Sequence, residues 1–196
     1  MIIQHLKHPF HHTIIYNFFD GKALDEIKQE VLSLAPTVES TEPEDAHHAK
    51  LLNTTHTGSF FLDVVFAEAR EKSKIISFTR DIFSLCIQGV LQSKDNPFLG
   101  YVPISNHDTT TLQLYKDGSS YFTHQDAAVV TMLYPIFLGE DFEGGKLTFP
   151  KYDYTPHLED NCCLIFPSFE LHALSSVRSD NEGYVRASIN QRLYVR

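Results

Sequence analysis

The sequence has no tryptophan and no apolar run long enough to cross a membrane, and it has only three cysteines in 196 residues. A membrane-spanning helix needs about 20 mostly apolar residues, whereas the longest apolar run, residues 129–138, is interrupted by Pro135. The first residues place histidines and a proline where a signal peptide needs an unbroken apolar stretch. We therefore expect a cytoplasmic protein without a membrane span, in which Cys86, Cys162 and Cys163 are reduced core residues rather than a disulfide framework.

Basic residues are also scarce. There are 16 lysines and arginines and 25 acidic residues, which gives a formal net charge of −9. Such a balance repels a phosphate backbone, so it disfavours a nucleic-acid partner. The hydrophobic share of 42% is too high for a disordered chain. At roughly 150 residues per domain, the length predicts one domain covering residues 1–196.

The first half of the chain follows mostly the helical period. Residues 14–19 form a short β-branched and aromatic run that predicts a leading strand. Asp20 is a candidate N-cap for an amphipathic helix that we expect to end at Pro36. The polar residues 37–58 predict a long surface loop. Two further segments repeat apolar residues at the helical step, and they are residues 60–69 and 78–92.

After residue 96 the apolar period changes to two, and glycine, proline and aspartate separate the segments. Short predicted strands are residues 110–115, 121–126, 129–138, 146–149, 161–166, 171–177 and 185–195. Parallel α/β units would need helices between these strands, so the pattern favours antiparallel sheets. We predict a mainly β fold with flanking helices (α+β). In it, a jelly-roll core at residues 100–196 is braced by a helical support region at residues 1–95.

The strongest local motif is His124-Gln125-Asp126 on a predicted strand. Residues i and i+2 project from the same face of a strand, so His124 and Asp126 point together. His172 lies on another predicted strand, which an antiparallel fold can place beside the first. Two histidines and one carboxylate on one side of a metal are diagnostic of non-haem Fe(II) oxygenases. An H-x-D triplet also occurs by chance, and 11 histidines make chance matches easier.

Arg186 follows the last of these histidines on the predicted closing strand. A guanidinium at that place can hold one carboxylate of a dicarboxylate cosubstrate in a bidentate pair, while the other end of the cosubstrate chelates the metal. From the residues alone, a surface arginine on a closing strand is the alternative.

The order of these features resembles the prolyl-4-hydroxylase-like group of Fe(II)/2-oxoglutarate dioxygenases, and the resemblance covers about half of the chain. The motifs that carry it are Leu112-Gln113-Leu114-Tyr115-x-x-Gly118, Tyr121-x-x-His124-x-Asp126, Glu143-Gly144-Gly145-x-Leu147-x-Phe149-Pro150, Asn161 to Pro167, His172, and Gly183-x-x-Arg186-x-Ser188.

The resemblance implies a double-stranded β-helix, or jelly roll, with Fe(II) bound by His124, Asp126 and His172 in its mouth. It also implies 2-oxoglutarate and O2 as cosubstrates, with ascorbate as a candidate accessory reductant. The expected reaction hydroxylates an unactivated C–H bond and releases succinate and CO2.

The resemblance further implies that Arg186 pairs with the C5 carboxylate of 2-oxoglutarate. Tyr115 stands where several relatives have a tyrosine facing the cosubstrate, and Tyr134 or Thr131 is expected to contact the same carboxylate from the neighbouring strand. Pro135 departs from the pattern, because relatives commonly continue there with an apolar strand residue.

A peptidyl prolyl residue is the expected substrate, which makes a peptide or protein the expected partner. It would enter across a mouth bordered by residues 37–58 and 151–160. Alternatives are a free amino acid or small metabolite, and a nucleic-acid base, since Arg186 and Arg192 fit the R-x5-R ending of base dealkylases. A non-enzymatic binding module is a further alternative. The sequence gives no indication of the oligomeric state.

The histidines near the N-terminus could be taken for a second metal site. They lack an accompanying cysteine or carboxylate arrangement, so surface histidines are the favoured interpretation. These residues are His5, His8, His11 and His12, together with His47 and His48.

Overall fold

The computed structural model describes residues 1–40, 57–91, 93–94 and 96–196. Its strands are β1 Ile2–Leu6, β2 His12–Tyr16, β3 Thr57–Phe61, β4 His107–Tyr115, β5 Tyr121–His124, β6 Val130–Phe137, β7 Glu143–Gly144, β8 Leu147–Thr148, β9 Cys162–Pro167, β10 His172–Leu174, β11 Val177–Arg178 and β12 Arg186–Tyr194. Its α-helices are α1 Gly21–Ser40, α2 Leu62–Val65, α3 Lys74–Thr79 and α4 Asp81–Ile87. Short 3-10 helices are Arg70–Lys72, Pro97–Tyr101 and Pro150–Tyr152.

A seven-stranded antiparallel sheet, in the order β1-β2-β9-β6-β12-β4-β3, forms the larger layer. The smaller layer is a three-stranded sheet in the order β5-β10-β8, and β7 pairs with β11 in a separate ribbon. The two sheets pack through apolar side chains, including Leu133 and Leu164 of the large sheet and Leu147 of the small one. The predicted mainly β, jelly-roll architecture with flanking helices is confirmed.

The N-terminal region contributes more strand than the sequence predicts. β2 pairs with β9 and β3 pairs with β4, so both extend the large sheet, and β1 adds an edge strand beside β2. Phe60 and Phe61, expected at the start of a helix, belong to β3. Their conformation is fixed by backbone pairing with Leu112 and Thr111, a distant contact that local periodicity does not report.

Helix α1 begins as predicted but extends beyond Pro36. The Asp20 carboxylate accepts a hydrogen bond from the Ala23 backbone N–H at 2.8 Å, which caps the helix. Pro36 lies inside the helix rather than at its end. The N–H that proline lacks would bond the carbonyl of Leu32, a residue that is 55% exposed, so water can satisfy that carbonyl.

Strand alternation divides the interior into two apolar clusters. Ile15, Met132 and Ile189 of the large sheet face the helices, where they form one cluster with Ile27 and Val31 of α1. The neighbouring residues of the same strands face the small sheet. The large sheet is thus covered on one side by helices, and its other side faces the candidate site.

Other sequence expectations have mixed outcomes. Cys86, Cys162 and Cys163 are free and buried. Of the predicted loop at residues 37–58, the first four residues belong to α1 and the last two to β3, while 41–56 lie outside the described residues. No helix in the described part of the chain is both long and apolar enough to cross a membrane.

Candidate metal centre

Antiparallel pairing in the small sheet brings the predicted metal ligands together. His124 ends β5 and lies opposite His172, the first residue of β10. One ligand atom from each of His124, Asp126 and His172 lies within 4.8 Å of the other two. Nε2 of His124 is 3.9 Å from Oδ1 of Asp126, and Nε2 of His172 is 3.7 Å from Oδ2. No other such cluster of histidine, cysteine or acidic residues occurs in the described chain.

Both imidazoles are oriented by backbone carbonyls. Nδ1 of His124 donates to the Phe122 carbonyl at 2.9 Å, and Nδ1 of His172 donates to the Glu170 carbonyl at 2.8 Å. A carbonyl only accepts, so each Nδ1 carries the proton and each Nε2 keeps a lone pair for the cluster. Burial lowers the pKa of His124, and burial together with the nearby His124 lowers the pKa of His172 to about 4. Two neutral imidazoles therefore face one carboxylate.

Asp126 is held through both carboxylate oxygens. Oδ1 accepts a hydrogen bond from Arg192 Nε at 2.6 Å, and Oδ2 accepts one from the Thr131 hydroxyl at 2.7 Å. Burial opposes ionisation, but Arg192, His172 and Thr131 hold the pKa of Asp126 below its usual value. The cluster thus has the donor set that non-haem Fe(II) sites use: two imidazole nitrogens and one ionised carboxylate.

A narrow polar slot extends from the cluster between the small sheet and the inner face of β4 and β12 in the large sheet. Its polar lining includes Gln113, Tyr115, Tyr121, Ser188 and Asn190. The Tyr115 hydroxyl and the Asn190 amide both donate to Oε1 of Gln113, at 2.8 and 3.1 Å. The free space is about 20 Å³, close to the room one water needs, so a larger molecule has to move these side chains apart.

Arg186 lies beside this slot and contacts two of its lining residues, Tyr115 and Ser188. It begins β12, is only 2% exposed, and lies between Tyr115 and Phe137 in the sheet register. Its Nη1 donates to the Ser188 hydroxyl at 3.0 Å, and its Cζ lies 5.3 Å from the centre of the Tyr115 ring. No carboxylate of the described residues forms an ion pair with it. Because a buried unpaired charge is costly, this guanidinium is a strong candidate for binding an anion.

Two glycines allow the chain to pass directly over Arg186. A Cβ at Gly145 would lie 3.2 Å from Cδ of Arg186, and a Cβ at Gly144 would lie 2.0 Å from the Ser176 carbonyl oxygen. Both glycines also have positive φ, at 74° and 57° for Gly144 and Gly145. This is the physical basis of the Glu-Gly-Gly motif noted in the sequence. A larger cleft, of about 1210 Å³, reaches Arg186 from the outside beside these glycines and is not lined by the metal cluster.

Tyr134 does not join this site. Thr131 and Leu133 of β6 face Asp126 and the slot, so by strand alternation Tyr134 faces the helices. Its ring packs against Phe18 and Phe19 there. The predicted contact of Tyr134 with the cosubstrate is therefore wrong. Thr131, the other residue suggested for that contact, donates to Asp126 instead.

The structure adds residues that sequence reasoning had not assigned to the site. Asn190 and Arg192 lie on the face of β12 that carries Arg186 and Ser188, a relation that the period of two could have indicated. Gln113 has the same relation to Tyr115 on β4. The sequence signal for these site residues is therefore a polar side chain on the inward-facing side of a predicted strand.

The N-terminal histidines do not form a metal cluster in the described chain. His12 is fully buried, and its two ring nitrogens bond the Phe10 carbonyl at 2.8 Å and the Tyr154 hydroxyl at 3.0 Å. His5 bonds Thr13. His47 and His48 lie outside the described residues.

No protein-family model and no curated protein sequence matches the chain. Solved structures do match. A Pseudomonas putida prolyl-4-hydroxylase is 18% identical with a TM-score of 0.61, over 94% of this chain and 92% of that one. A Trichoplax adhaerens prolyl hydroxylase in complex with a hypoxia inducible factor oxygen degradation domain peptide fragment is 20% identical with a TM-score of 0.63, over 93% and 83%.

A viral collagen prolyl hydroxylase from Paramecium Bursaria Chlorella virus-1, solved as a 2OG complex, is 15% identical. Its TM-score is 0.53, over 94% of this chain and 96% of that one. These likenesses extend over nearly the whole of the described chain, well beyond the motifs around the metal cluster. The chain therefore has the jelly-roll fold of the prolyl hydroxylases.

Proposed function

We propose that the chain is an Fe(II)- and 2-oxoglutarate-dependent oxygenase that hydroxylates a peptidyl prolyl residue. One arrangement carries the proposal: a polar slot begins at the His-Asp-His cluster, and one of its lining residues, Ser188, bonds a buried arginine that has no carboxylate partner among the described residues. A metal at one end and a cation at the other match the two ends of a 2-oxo dicarboxylate. The fold shared with prolyl hydroxylases supports the same conclusion.

The cluster fits Fe(II) in donor type and in protonation. His124, Asp126 and His172 would hold the metal from one side and leave three positions open, as in the facial triads of non-haem Fe(II) oxygenases. Bound Fe(II), with 2-oxoglutarate and dioxygen, supplies an oxidant that hydroxylates an unactivated C–H bond as succinate and CO2 are released.

The protein's own part is to bind, orient and exclude water. Arg186 would bind the C5 carboxylate through charge-assisted hydrogen bonds, with Ser188 and Tyr115 fixing its direction. The Phe166 and Phe149 rings lie 5.0 and 6.2 Å from the His172 ring, and both are fully buried. These rings keep that wall of the centre dry, which limits side reactions.

The substrate assignment rests on the prolyl hydroxylase fold and on charge. One matching structure contains a peptide fragment, and the net charge of −9 disfavours a nucleic-acid base as the alternative. We keep residues 37–58 and 151–160 as the proposed borders of the substrate entrance, although residues 41–56 lie outside the described part of the chain. A free amino acid or small metabolite is the alternative that the test below can reveal.

We also propose that residues 1–196 act as one domain in the cytoplasm. β1, β2 and β3 extend the sheet that holds Arg186, so the described part of residues 1–95 contributes strands to the same sheet as well as helices that cover it. The free, buried thiols suit a reducing compartment.

The test measures succinate formation and peptide oxidation together. Protein loaded anaerobically with Fe(II) is exposed to air with 2-oxoglutarate and, in parallel samples, a peptide library or a small-metabolite extract of cells, and mass spectrometry then detects gains of one oxygen. Asp126→Ala should abolish both products, because it removes the one anionic ligand of the cluster. Asp180→Ala, at an exposed loop position, is the matched control.

Undiminished succinate production by Asp126→Ala would overturn the metal site. Oxygen gained only by small metabolites, or at peptide positions other than proline, would overturn the prolyl assignment alone.

A further inference from the structure

Arg192 makes the shortest contact to the cluster, although it is not one of the three ligands. Its Nε donates to Oδ1 of Asp126 at 2.6 Å, a charge-assisted bond. Its Nη1 donates to the Thr111 hydroxyl at 2.8 Å, so the guanidinium is anchored on the neighbouring strand. The side chain is 15% exposed and that of Asp126 4%. Arg192 therefore holds a largely buried carboxylate in a fixed orientation.

The carboxylate needs such restraint because it has two ways to bind a metal. An aspartate can coordinate through one oxygen or chelate through both. Oδ1 of Asp126 is nearest to His124 and Oδ2 is nearest to His172, so both oxygens face the cluster. Chelation would use one more coordination position. A facial triad that keeps three positions open has to bind through one oxygen only.

We propose that Arg192 is a positioning residue that keeps Asp126 a one-oxygen ligand and so preserves the third open position of the metal. The inference rests on the proposed function, since it assumes that the cluster binds a divalent metal. Thr131 bonds the other oxygen, but a neutral hydroxyl competes with a metal for a carboxylate oxygen less strongly than a guanidinium does.

The charge of Arg192 also affects the affinity for the metal, in the direction opposite to that expected of a purely structural residue. Its positive charge repels a divalent metal held by the same carboxylate. Removing Arg192 should therefore tighten metal binding, through both the lost repulsion and the added chelation. If Arg192 served only to fold the site, its removal would weaken metal binding.

The experiment uses Mn²⁺ alone as the probe and counts its bound waters by water-proton relaxation. Wild-type protein should show relaxation consistent with three open positions. Arg192→Met should lower the relaxation per bound Mn²⁺ by about one third, from three waters to two, and should lower the Kd for Mn²⁺. Arg192→Lys retains a cation and should restore the wild-type relaxation. Thr131→Val should leave the water count unchanged.

The outcomes separate this inference from the proposed function. If wild-type protein binds Mn²⁺ no better than Asp126→Ala, the metal site itself is wrong. If wild-type protein binds Mn²⁺ but Arg192→Met keeps three waters or binds the metal more weakly, the role of Arg192 is wrong and the metal site stands.

A measurement on wild-type protein covers the case in which Arg192→Met does not fold. A crystal structure with Mn²⁺ bound should show one Asp126 oxygen on the metal and the other still bonded to Arg192. Both oxygens on the metal would overturn the inference.

Discussion

His124 lies directly opposite His172 in the small antiparallel sheet, and the centres of their imidazole rings are 4.2 Å apart. The distance between the two ligands is therefore set by backbone register rather than by a flexible loop. Asp126 is tied to the same frame, because its N–H bonds the Ser168 carbonyl at 2.9 Å. A site built on paired strands is held before any metal binds, and this gives the variants below separable effects on binding and on stability.

Arg186→Met should weaken 2-oxoglutarate binding without weakening the fold. A charge-assisted bidentate pair contributes about 1.5–3 kcal/mol, so its loss should raise the Kd by roughly 10- to 100-fold. The free energy of unfolding without ligand should stay equal or rise, because methionine replaces a buried charge that has no carboxylate partner in the described part of the chain. Titration calorimetry on the metal-loaded protein and urea unfolding measure the two quantities.

Arg178→Met is the control, since Arg178 is exposed on β11. It should change neither quantity. A large loss of stability in Arg186→Met with unchanged 2-oxoglutarate affinity would mean that Arg186 is a structural cation.

Gly144→Ala should destabilise the ribbon that covers Arg186. The new Cβ would overlap the Ser176 carbonyl oxygen, and the left-handed backbone adds about 1–2 kcal/mol of strain for a residue with a Cβ. We expect a loss of at least about 2 kcal/mol in the free energy of unfolding, measured in urea.

Gly100→Ala is the matched control, because a Cβ at that position would have no neighbouring atom within 4 Å and Gly100 has no positive φ. A loss in Gly144→Ala no larger than in Gly100→Ala would contradict the steric explanation.

Much of the site could be predicted from the sequence because it depends on strand period and motif order. The H-x-D spacing indicated His124 and Asp126, although β5 ends at His124 and Asp126 lies just beyond the strand, and the order of the later motifs indicated His172 and Arg186. The wrong prediction for Tyr134 also comes from reasoning by strand period. A shift of one residue moves a side chain to the other face of a sheet, and the sequence did not fix the register around Pro135.

Other features depend on contacts between distant residues, which local patterns do not contain. β3 exists because Thr57–Phe61 pairs with β4. The role of Arg192 depends on Asp126, which is adjacent only after β12 and β6 have paired. Helix α1 continues past Pro36 because the missing hydrogen bond falls on its exposed side.

Asn161→Ala should cost about 3 kcal/mol of stability, through lost hydrogen bonds and backbone strain. The Asn161 side chain accepts a bond from the Phe19 N–H at 2.8 Å and donates to the Phe19 carbonyl at 2.9 Å, and its φ is 60°. It thus fixes the entry to α1 against the start of β9. Asn161→Gly removes the same bonds but tolerates the positive φ, so urea unfolding should show a smaller loss. Equal losses in the two variants would show that strain contributes nothing.

His12→Gln should reduce the dependence of stability on pH in metal-free protein. Nδ1 of His12 donates to the Phe10 carbonyl, so Nε2 accepts from the Tyr154 hydroxyl and the buried ring is neutral. Burial lowers the pKa of His12 below the ordinary value of 6.5. Between the lowered pKa and 6.5, the unfolded chain binds a proton that the folded protein does not. The stabilisation is therefore complete above pH 6.5 and is lost as the pH falls below it.

The measured quantity is the change in unfolding free energy between pH 8 and pH 5.5. One proton corresponds to a slope of up to about 1.4 kcal/mol per pH unit, and the wild-type slope also contains the neutral His124 and His172, whose pKa values are lowered as well. His12→Gln should remove up to one proton from that slope, whereas His8→Gln, at an exposed position, should leave it unchanged. If His12→Gln lowered stability by the same amount at both pH values, the ring would contribute packing and hydrogen bonds only, and the loss of stability in mild acid would have to come from the two histidines of the metal cluster.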